Sequence, residues 1–228
     1  MQLFITDFEK KWDKIKLSDN EIISQIRKVL RMKIWDIFFV QNGNNRYKLQ
    51  ISDRDDKNIF WSIIEFIEYS EPIDETWMII AMSNKRDKME TIVQKLSEIW
   101  IKYIYFRPSE RSIIRERNEK RLDRLKKISK EAVEQSRWRY LPKIIFENDI
   151  SKIIEWKDII IFDKPDEYNT QKLLEDKPTL WIIWPEWWLT ESDYKKFWEK
   201  IKTVSLGDTV LRTETASIIA ARYLKHLS

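Results

Sequence analysis

Leu180-Trp181-Ile182-Ile183-Trp184-Pro185-Glu186-Trp187-Trp188-Leu189, and further on Thr203-Val204-Ser205-Leu206-Gly207 with Leu211-Arg212-Thr213-Glu214-Thr215-Ala216, are the stretches that decide the fold. Each begins as a short apolar run, breaks at a tight loop, and passes into a helix. Thr190 and Asp193 have the spacing of a capping box that opens the helix after the first loop. Strand, loop and helix N-terminus in that order is how a sheet presents a pocket at its carboxyl edge.

Working outward, strands and helices alternate from Met78 onward. Met78–Ala81, Ile101–Phe106, Lys143–Phe146, Asp158–Phe162, Thr179–Ile183 and Thr203–Leu206 read as strands. Between them, Asp87–Ile99 places Met89, Ile92, Val93, Leu96 and Ile99 on one helical face. Arg117–Ser136 does the same with Leu122, Leu125, Ile128 and Val133. The spacing also predicts helices between Phe146 and Asp158, over Glu191–Ile201, and from about Thr213 to Leu227. Such alternation specifies an α/β domain whose mainly parallel sheet is covered on both faces.

The first 71 residues read differently. Gln2–Thr6, Ile37–Val40, Tyr47–Ile51 and Ile59–Ile67 are short strands, and Asn42-Gly43 marks a hairpin. Ser18 and Glu21 predict the start of one helix through Ile22, Ile26, Val29 and Leu30. Strands around a single helix suggest a small β-barrel. Ser70–Glu75, polar and carrying Pro72, is the expected linker, so the domains are 1–71 and 72–228.

Composition excludes several chemistries. The 228 residues contain no Cys and one His, His226, so thiolate nucleophiles, His-centred triads and Cys- or His-built metal sites are not expected. No apolar run reaches membrane-spanning length, and Met1–Lys10 lacks a signal-peptide pattern. The expectation is a cytoplasmic protein with no membrane and no metal. The net charge is +4, but Arg107–Lys143 holds 13 basic against 6 acidic residues. That block has the charge to track a phosphate backbone, and equally that of a solvated helix with paired charges.

The two loop stretches resemble the ribosomal RNA small subunit methyltransferase E family, whose signature is I-G-P-E-G-G-L, then S-L-G and L-R-T-E-T-A. Ser205–Gly207 and Leu211–Ala216 match its second half letter for letter. Val29-Leu30-Arg31-Met32-Lys33-Ile34-Trp35-Asp36 resembles V-L-R-L-K-x-G-D, without the His that commonly precedes it. Lys88-Met89-Glu90, Gln94-Lys95, Ser97–Trp100, Ser109–Ser112, Glu131-Ala132 and Glu134–Ser136 follow the family's order. The resemblance covers nearly the whole chain. It implies a SPOUT methyltransferase domain closed by a carboxyl-terminal trefoil knot, a topology periodicity would never suggest. It implies an amino-terminal PUA-like β-barrel that binds RNA, a homodimer, and S-adenosylmethionine as the methyl donor. The implied reaction is methylation of a uracil N3 in small-subunit rRNA. Alternatives from other classes are a non-catalytic RNA-binding or ribosome-assembly protein with a blocked pocket, and a related knotted tRNA methyltransferase.

In the first half of the signature Trp184, Trp187 and Trp188 stand where the family has glycine. The chain holds 2 Gly and 12 Trp, whereas glycine ordinarily makes up about 7% of residues. Trp35 falls just before a strand and Trp100 just after the helix ending at Ile99, both places where glycine is expected. The expectation is that most of these tryptophans are codons read as glycine in the source organism; the alternative is a truly tryptophan-rich protein.

The resemblance then assigns the candidate site. Leu180, Ile183, Trp184, Pro185, Glu186, Trp187, Trp188, Ser205, Leu206, Gly207, Leu211 and Thr213 are the candidate cofactor-binding residues. Close approach of backbone to a nucleoside favours residues without side chains there. Removing the uracil N3 proton leaves an anion, which Arg212, permanently cationic, is suited to hold. Glu186 is a candidate base if burial raises its pKa, and Glu214 a candidate to position Arg212; both are also readily structural. Arg27, Lys28, Arg31 and Arg46 are the candidate RNA contacts.

Overall fold

The computed structural model describes residues 1–11, 14–17, 19–54, 59–70, 76–83, 85–107, 119–147, 158–163, 179–183 and 201–227. The expected linker, the helices before Asp158 and over 191–200, the caps Ser18, Thr190 and Asp193, and the first signature loop lie outside these residues. The chain divides into two compact units, Met1–Pro72 with Val133–Tyr140, and Ile73–Ala132 with Leu141–Ser228. The segment 133–140 groups with the first unit.

In the first unit β1 (Gln2–Ile5) runs parallel to β4 (Ile37–Asn42), and β4, β5 (Asn45–Arg54) and β6 (Ile59–Glu68) form an antiparallel meander. Gly43 turns the β4–β5 hairpin with φ +55 at the first central position, the type II′ pattern. Register shifts at Lys48/Leu49 and Ile51/Asp53 bend β5 against β6. The strands β2 (Phe8–Lys11) and β3 (Lys14–Leu17) pair only with each other. Among the described residues, then, the strands make an open four-stranded sheet and a separate hairpin, not one closed ladder. Phe4, Ile26, Phe38, Leu49 and Ile51 fill the core between them. Asp19, not Ser18, caps the helix α1 (Asn20–Ser24), accepting from the Glu21 and Ile22 main-chain N–H groups. The helix then widens into a π turn over Gln25–Val29.

The second unit is a six-stranded sheet in the order β12-β10-β11-β7-β8-β9, parallel throughout. Its strands are β7 (Trp77–Ala81), β8 (Tyr103–Arg107), β9 (Lys143–Phe146), β10 (Asp158–Asp163), β11 (Thr179–Ile183) and β12 (Ile201–Ser205). Strands buried on both faces read as unbroken apolar runs, as Ile159-Ile160-Ile161-Phe162 does. The helices are α2 (Arg86–Ile99), α3 (Glu119–Ser136) and α4 (Thr213–Leu227). Met89, Ile92, Val93 and Leu96 of α2 and Ala220 and Ala221 of α4 bury against Met78, Ile80, Phe106, Phe162 and Val204. The α2–α3 contact includes a buried hydroxyl pair, Ser97 and Ser129 at 2.8 Å, with Ser97 also donating to the Val93 carbonyl. No helix among the described residues is long and apolar enough to cross a membrane.

Two tryptophans occupy glycine conformations. Trp35 (φ +77) is the third residue of a turn closed by the Asp36 N–H on the Lys33 carbonyl, the type II position that demands positive φ. Trp100 (φ +77) follows α2, with its own N–H on Ser97 O and the Ile101 N–H on Leu96 O, a Schellman closure. The Trp35 ring is 71% exposed, so burial returns nothing for the strain. Trp61 and Trp77 differ: one meets Phe38 edge-on at 6.1 Å and the other stacks on Tyr103 at 4.2 Å. Trp35→Gly and Trp100→Gly are each expected to stabilise the protein by about 1 kcal/mol, read by thermal unfolding. Trp61→Gly should destabilise by several times that, on the order of 3 kcal/mol. Protein isolated from its own source should be lighter than the written chain by whole tryptophan-to-glycine differences.

Candidate active site at the carboxyl rim of the parallel sheet

Parallel pairing fixes which residues share the sheet's carboxyl rim. One row of Cα partners crosses it: Phe146, Phe106, Ile80, Ile183, Phe162 and Val204. The ladders end one position further on, where Ala81 pairs Arg107 and Asp163 pairs Ser205, and β11 ends at Ile183. Only β10 separates the ends of β11 and β12. The two signature loops therefore begin two strand spacings apart, roughly 10 Å. Strand order reverses here: β8 and β9 lie on one side of β7, while β11, β10 and β12 lie on the other. Clefts of open α/β sheets form at such a reversal.

The second loop is held by its own residues. The Ser205 hydroxyl accepts from the Gly207 N–H at 3.1 Å and lies 3.2 Å from the Gly207 carbonyl. Gly207 has φ +118, with open space where a Cβ would stand, so the backbone there is approachable as well as left-handed. Leu206 is half-buried against the core, while residues 207–210 are exposed. Leu211 and Thr213 are half-buried and Arg212 is exposed, one residue before α4. The first turn of α4 closes with the Ala216 N–H on Arg212 O and the Ser217 hydroxyl on Thr213 O, 2.7 Å.

Glu214 does not stand ready as a base. Burial pushes its pKa up, but its own main-chain N–H, the Lys88 ammonium and Arg212 outweigh that and hold it below the usual carboxylate range. Lys88 Nζ is 3.0 Å from Glu214 Oε2, tying the first turn of α2 to that of α4. Sequence alone shows Lys88 only as part of a motif, because its partner lies 126 positions away. A second tie joins α2 to α3 through Glu90. Arg124 donates to it at 2.5 and 3.0 Å and Arg86 at 2.7 Å, and with Arg124 as the main cause its pKa falls to about 2. Arg121 reaches the rim as well, donating to the Ser83 carbonyl just past β7 at 2.6 Å.

Of the other candidates, Leu180 and Ile183 belong to β11, and Trp184, Pro185, Glu186, Trp187 and Trp188 lie outside the described residues. Arg27 and Lys28 ride on the π turn and Arg31, with φ +50, follows it; Lys28 and Arg31 are exposed. Arg46 is not at the surface. It is 7% exposed and spends its donors on Gln41 Oε1 and the carbonyls of Arg137 and Trp138. A cross-strand Arg reads as surface charge until the main chain that captures it is seen.

The Lys88–Glu214 pair has a definite pH sign. A carboxylate with a lowered pKa adds stability above its ordinary range and loses it as pH falls through the lowered value. Lys88→Met should destabilise the protein modestly, by about 1 kcal/mol, read as a lowered thermal midpoint. The deficit should be full above about pH 5 and shrink in acid; a deficit that grows in acid would contradict this assignment.

Comparison with known proteins follows the same geometry. Residues 70–225 match the family model described as RNA methyltransferase domain. The Ribosomal RNA small subunit methyltransferase E of Bacillus subtilis is 23% identical over 218 residues, covering 88% of this chain and 85% of that protein. A solved structure of a Ribosomal RNA small subunit methyltransferase E from Neisseria gonorrhoeae, bound to S-adenosyl methionine, superposes with TM-score 0.79 at 21% identity. That match covers 100% of this chain and 98% of the other. A probable rRNA-methyltransferase from Porphyromonas gingivalis gives TM-score 0.77 at 23% identity, with 100% and 98% covered. With more than half its length matched by that model, the chain belongs to the RNA methyltransferase domain family.

Proposed function

We propose that this protein transfers the methyl group of S-adenosylmethionine to the N3 of a uracil in small-subunit ribosomal RNA. The observation that carries the reading is the second signature loop: Ser205–Gly207 and Leu211–Ala216 leave the carboxyl rim beside β10 and run into α4, within the family match. The reading includes the finer architecture the family resemblance implies. That is a trefoil knot closing the second unit, a PUA-like first unit that meets RNA, and a cytoplasmic homodimer.

The loop residues fit a sulfonium nucleoside. Adenine edges and a ribose require fixed main-chain donors and acceptors, and residues 206–210, outside any helix or strand, offer them around an open Gly207. In this assignment Ser205, Leu206, Gly207, Leu211 and Thr213 line one side. Leu180, Ile183, Trp184, Pro185, Glu186, Trp187 and Trp188 are the further cofactor contacts that the family resemblance assigns. The cofactor supplies an activated methyl carbon; the chain's own task is alignment and exclusion of water. Arg212 holds the uracil anion or an adjacent phosphate, since it is cationic at every relevant pH. Glu214, ionised and clasped by Lys88, fixes the first turn of α4 on which Arg212 is mounted. Glu186 is the candidate base. Side chains as large as indole at 184, 187 and 188 would fill the space the nucleoside needs.

Two experiments test this. Calorimetry with S-adenosylmethionine should show weak or no binding by the written chain and clear binding once residues 184, 187 and 188 are glycine. If the glycine version binds no better, a non-catalytic RNA-binding protein becomes the better description. In the binding-competent version, Arg212→Ala should lower methyl transfer to small-subunit rRNA by about 100-fold, with cofactor affinity little changed.

A further inference from the structure

The Arg46 network has a consequence on its outer side. Gln41 and Arg46 are cross-strand partners in β4 and β5. Between them they capture three consecutive carbonyls just past α3. Arg46 donates to those of Arg137 (3.4 Å) and Trp138 (2.5 Å), and Gln41 to that of Arg139 (2.5 Å). The helix ends in a left-handed residue, Arg137 (φ +58), with the Trp138 N–H on the Val133 carbonyl. The main chain is therefore the part that is fastened, and the side chains of Arg137 and Arg139 are left exposed.

The Arg139 side chain stands among aromatic rings. The Arg139 guanidinium lies 5.1 Å from the Tyr69 ring centroid and 5.7 Å from that of Trp138. Arg46 lies 5.0 Å from the same Tyr69 ring, which thus sits between two guanidinium groups. Tyr140 meets Tyr69 edge-on at 6.4 Å, and its hydroxyl donates to the Ser70 carbonyl. No ion pair among the described residues involves Arg46, Arg137 or Arg139. Positive charges held close together without a carboxylate leave an electrostatic demand for an anion. Rings next to them offer faces on which bases stack, the combination that binds single-stranded nucleic acid without reading a helix.

Resting on the RNA methyltransferase reading, we propose that Tyr69, Arg137, Arg139 and Tyr140 form a contact surface for a single-stranded segment of the RNA substrate. Arg46 and Gln41 are its positioning residues. Arg137 and Arg139 take phosphates and Tyr140 takes an unpaired base, while Tyr69, its ring engaged by the Arg46 and Arg139 guanidinium groups, holds Arg139 in place. The surface belongs to the first unit, yet three of its four residues come from 133–140, a segment that follows most of α3 in sequence.

The test is fluorescence anisotropy of the full chain with a labelled single-stranded RNA oligonucleotide, and with a duplex of the same length, across a salt series. Arg137→Ala with Arg139→Ala should weaken single-strand binding about 10-fold or more and reduce the salt slope by roughly 1 to 2. The thermal midpoint should not move, because the captured carbonyls remain. Tyr140→Leu should weaken single-strand binding by about 10-fold with the salt slope unchanged. Lys28→Ala with Arg31→Ala, on the π turn, should cost less than the 137/139 pair. Unaltered affinity in the 137/139 variant of a chain that binds RNA would overturn the surface and leave the methyltransferase reading standing. Equal loss on duplex and single strand would overturn the single-strand assignment. Failure of the chain to bind either RNA, with no methyl transfer by its glycine version, would overturn both.

Discussion

Everything at the candidate site depends on one constraint, the unbroken parallel ladder of the six-stranded sheet. Parallel pairing puts every carboxyl end on one rim, and its register makes Ile80, Ile183, Phe162 and Val204 neighbours in a single row. The ends of β11 and β12 then have to lie on the same rim, with only β10 between them. The apolar row beneath them, packed by α2 and α4, keeps that rim rigid. The rim needs no long-range side-chain contact to exist. Such contacts refine it: Lys88 and Glu214 fix the angle at which α4 begins, and Arg121 anchors the segment past β7.

Polar capture of main chain is the second theme, and it explains how the first unit is finished. The open sheet has its own core, but the end of α3 is held by carbonyls given to Arg46 and Gln41 and by Glu134, which accepts from the Ile5 N–H at 2.7 Å. Val133 and Trp138 add apolar contact with Leu3, Ile5 and Phe39. Burial pushes the Arg46 pKa down, Tyr69 offsets this, and nearby Arg139 lowers it further. A guanidinium still remains charged there, because its pKa starts far above neutrality.

Much of this was legible in the sequence, for reasons that differ by element. The faces of α2, α3 and α4 repeat at helical spacing, and the core strands are continuous apolar runs, so periodicity found them. The hairpin β2–β3 was missed because Phe8-Glu9-Lys10-Lys11 and Lys14-Ile15-Lys16-Leu17 carry too much charge to look like strands. The helix cap fell one residue late, on Asp19, since both residues are capping types and the Ser18–Glu21 spacing was the more familiar signal. The docking of 133–140 could not be read at all. It rests on main-chain acceptors, which every residue has and no side-chain pattern advertises. At the site, loop identity was readable from the motif, while the Lys88–Glu214 pairing was not, because it joins two helices that only the fold brings together. Trp35 and Trp100 show the reverse case: sequence position alone pointed to glycine conformations, and both have positive φ.

The most direct test of the rim as ligand site is hydrogen–deuterium exchange with and without S-adenosylmethionine, on the version bearing glycine at 184, 187 and 188. The account predicts slowed exchange over residues 179–217 and at the start of α2, with β4 and β5 unaffected. Cofactor-dependent protection confined to the first unit, or spread away from the β11 and β12 ends, would contradict it.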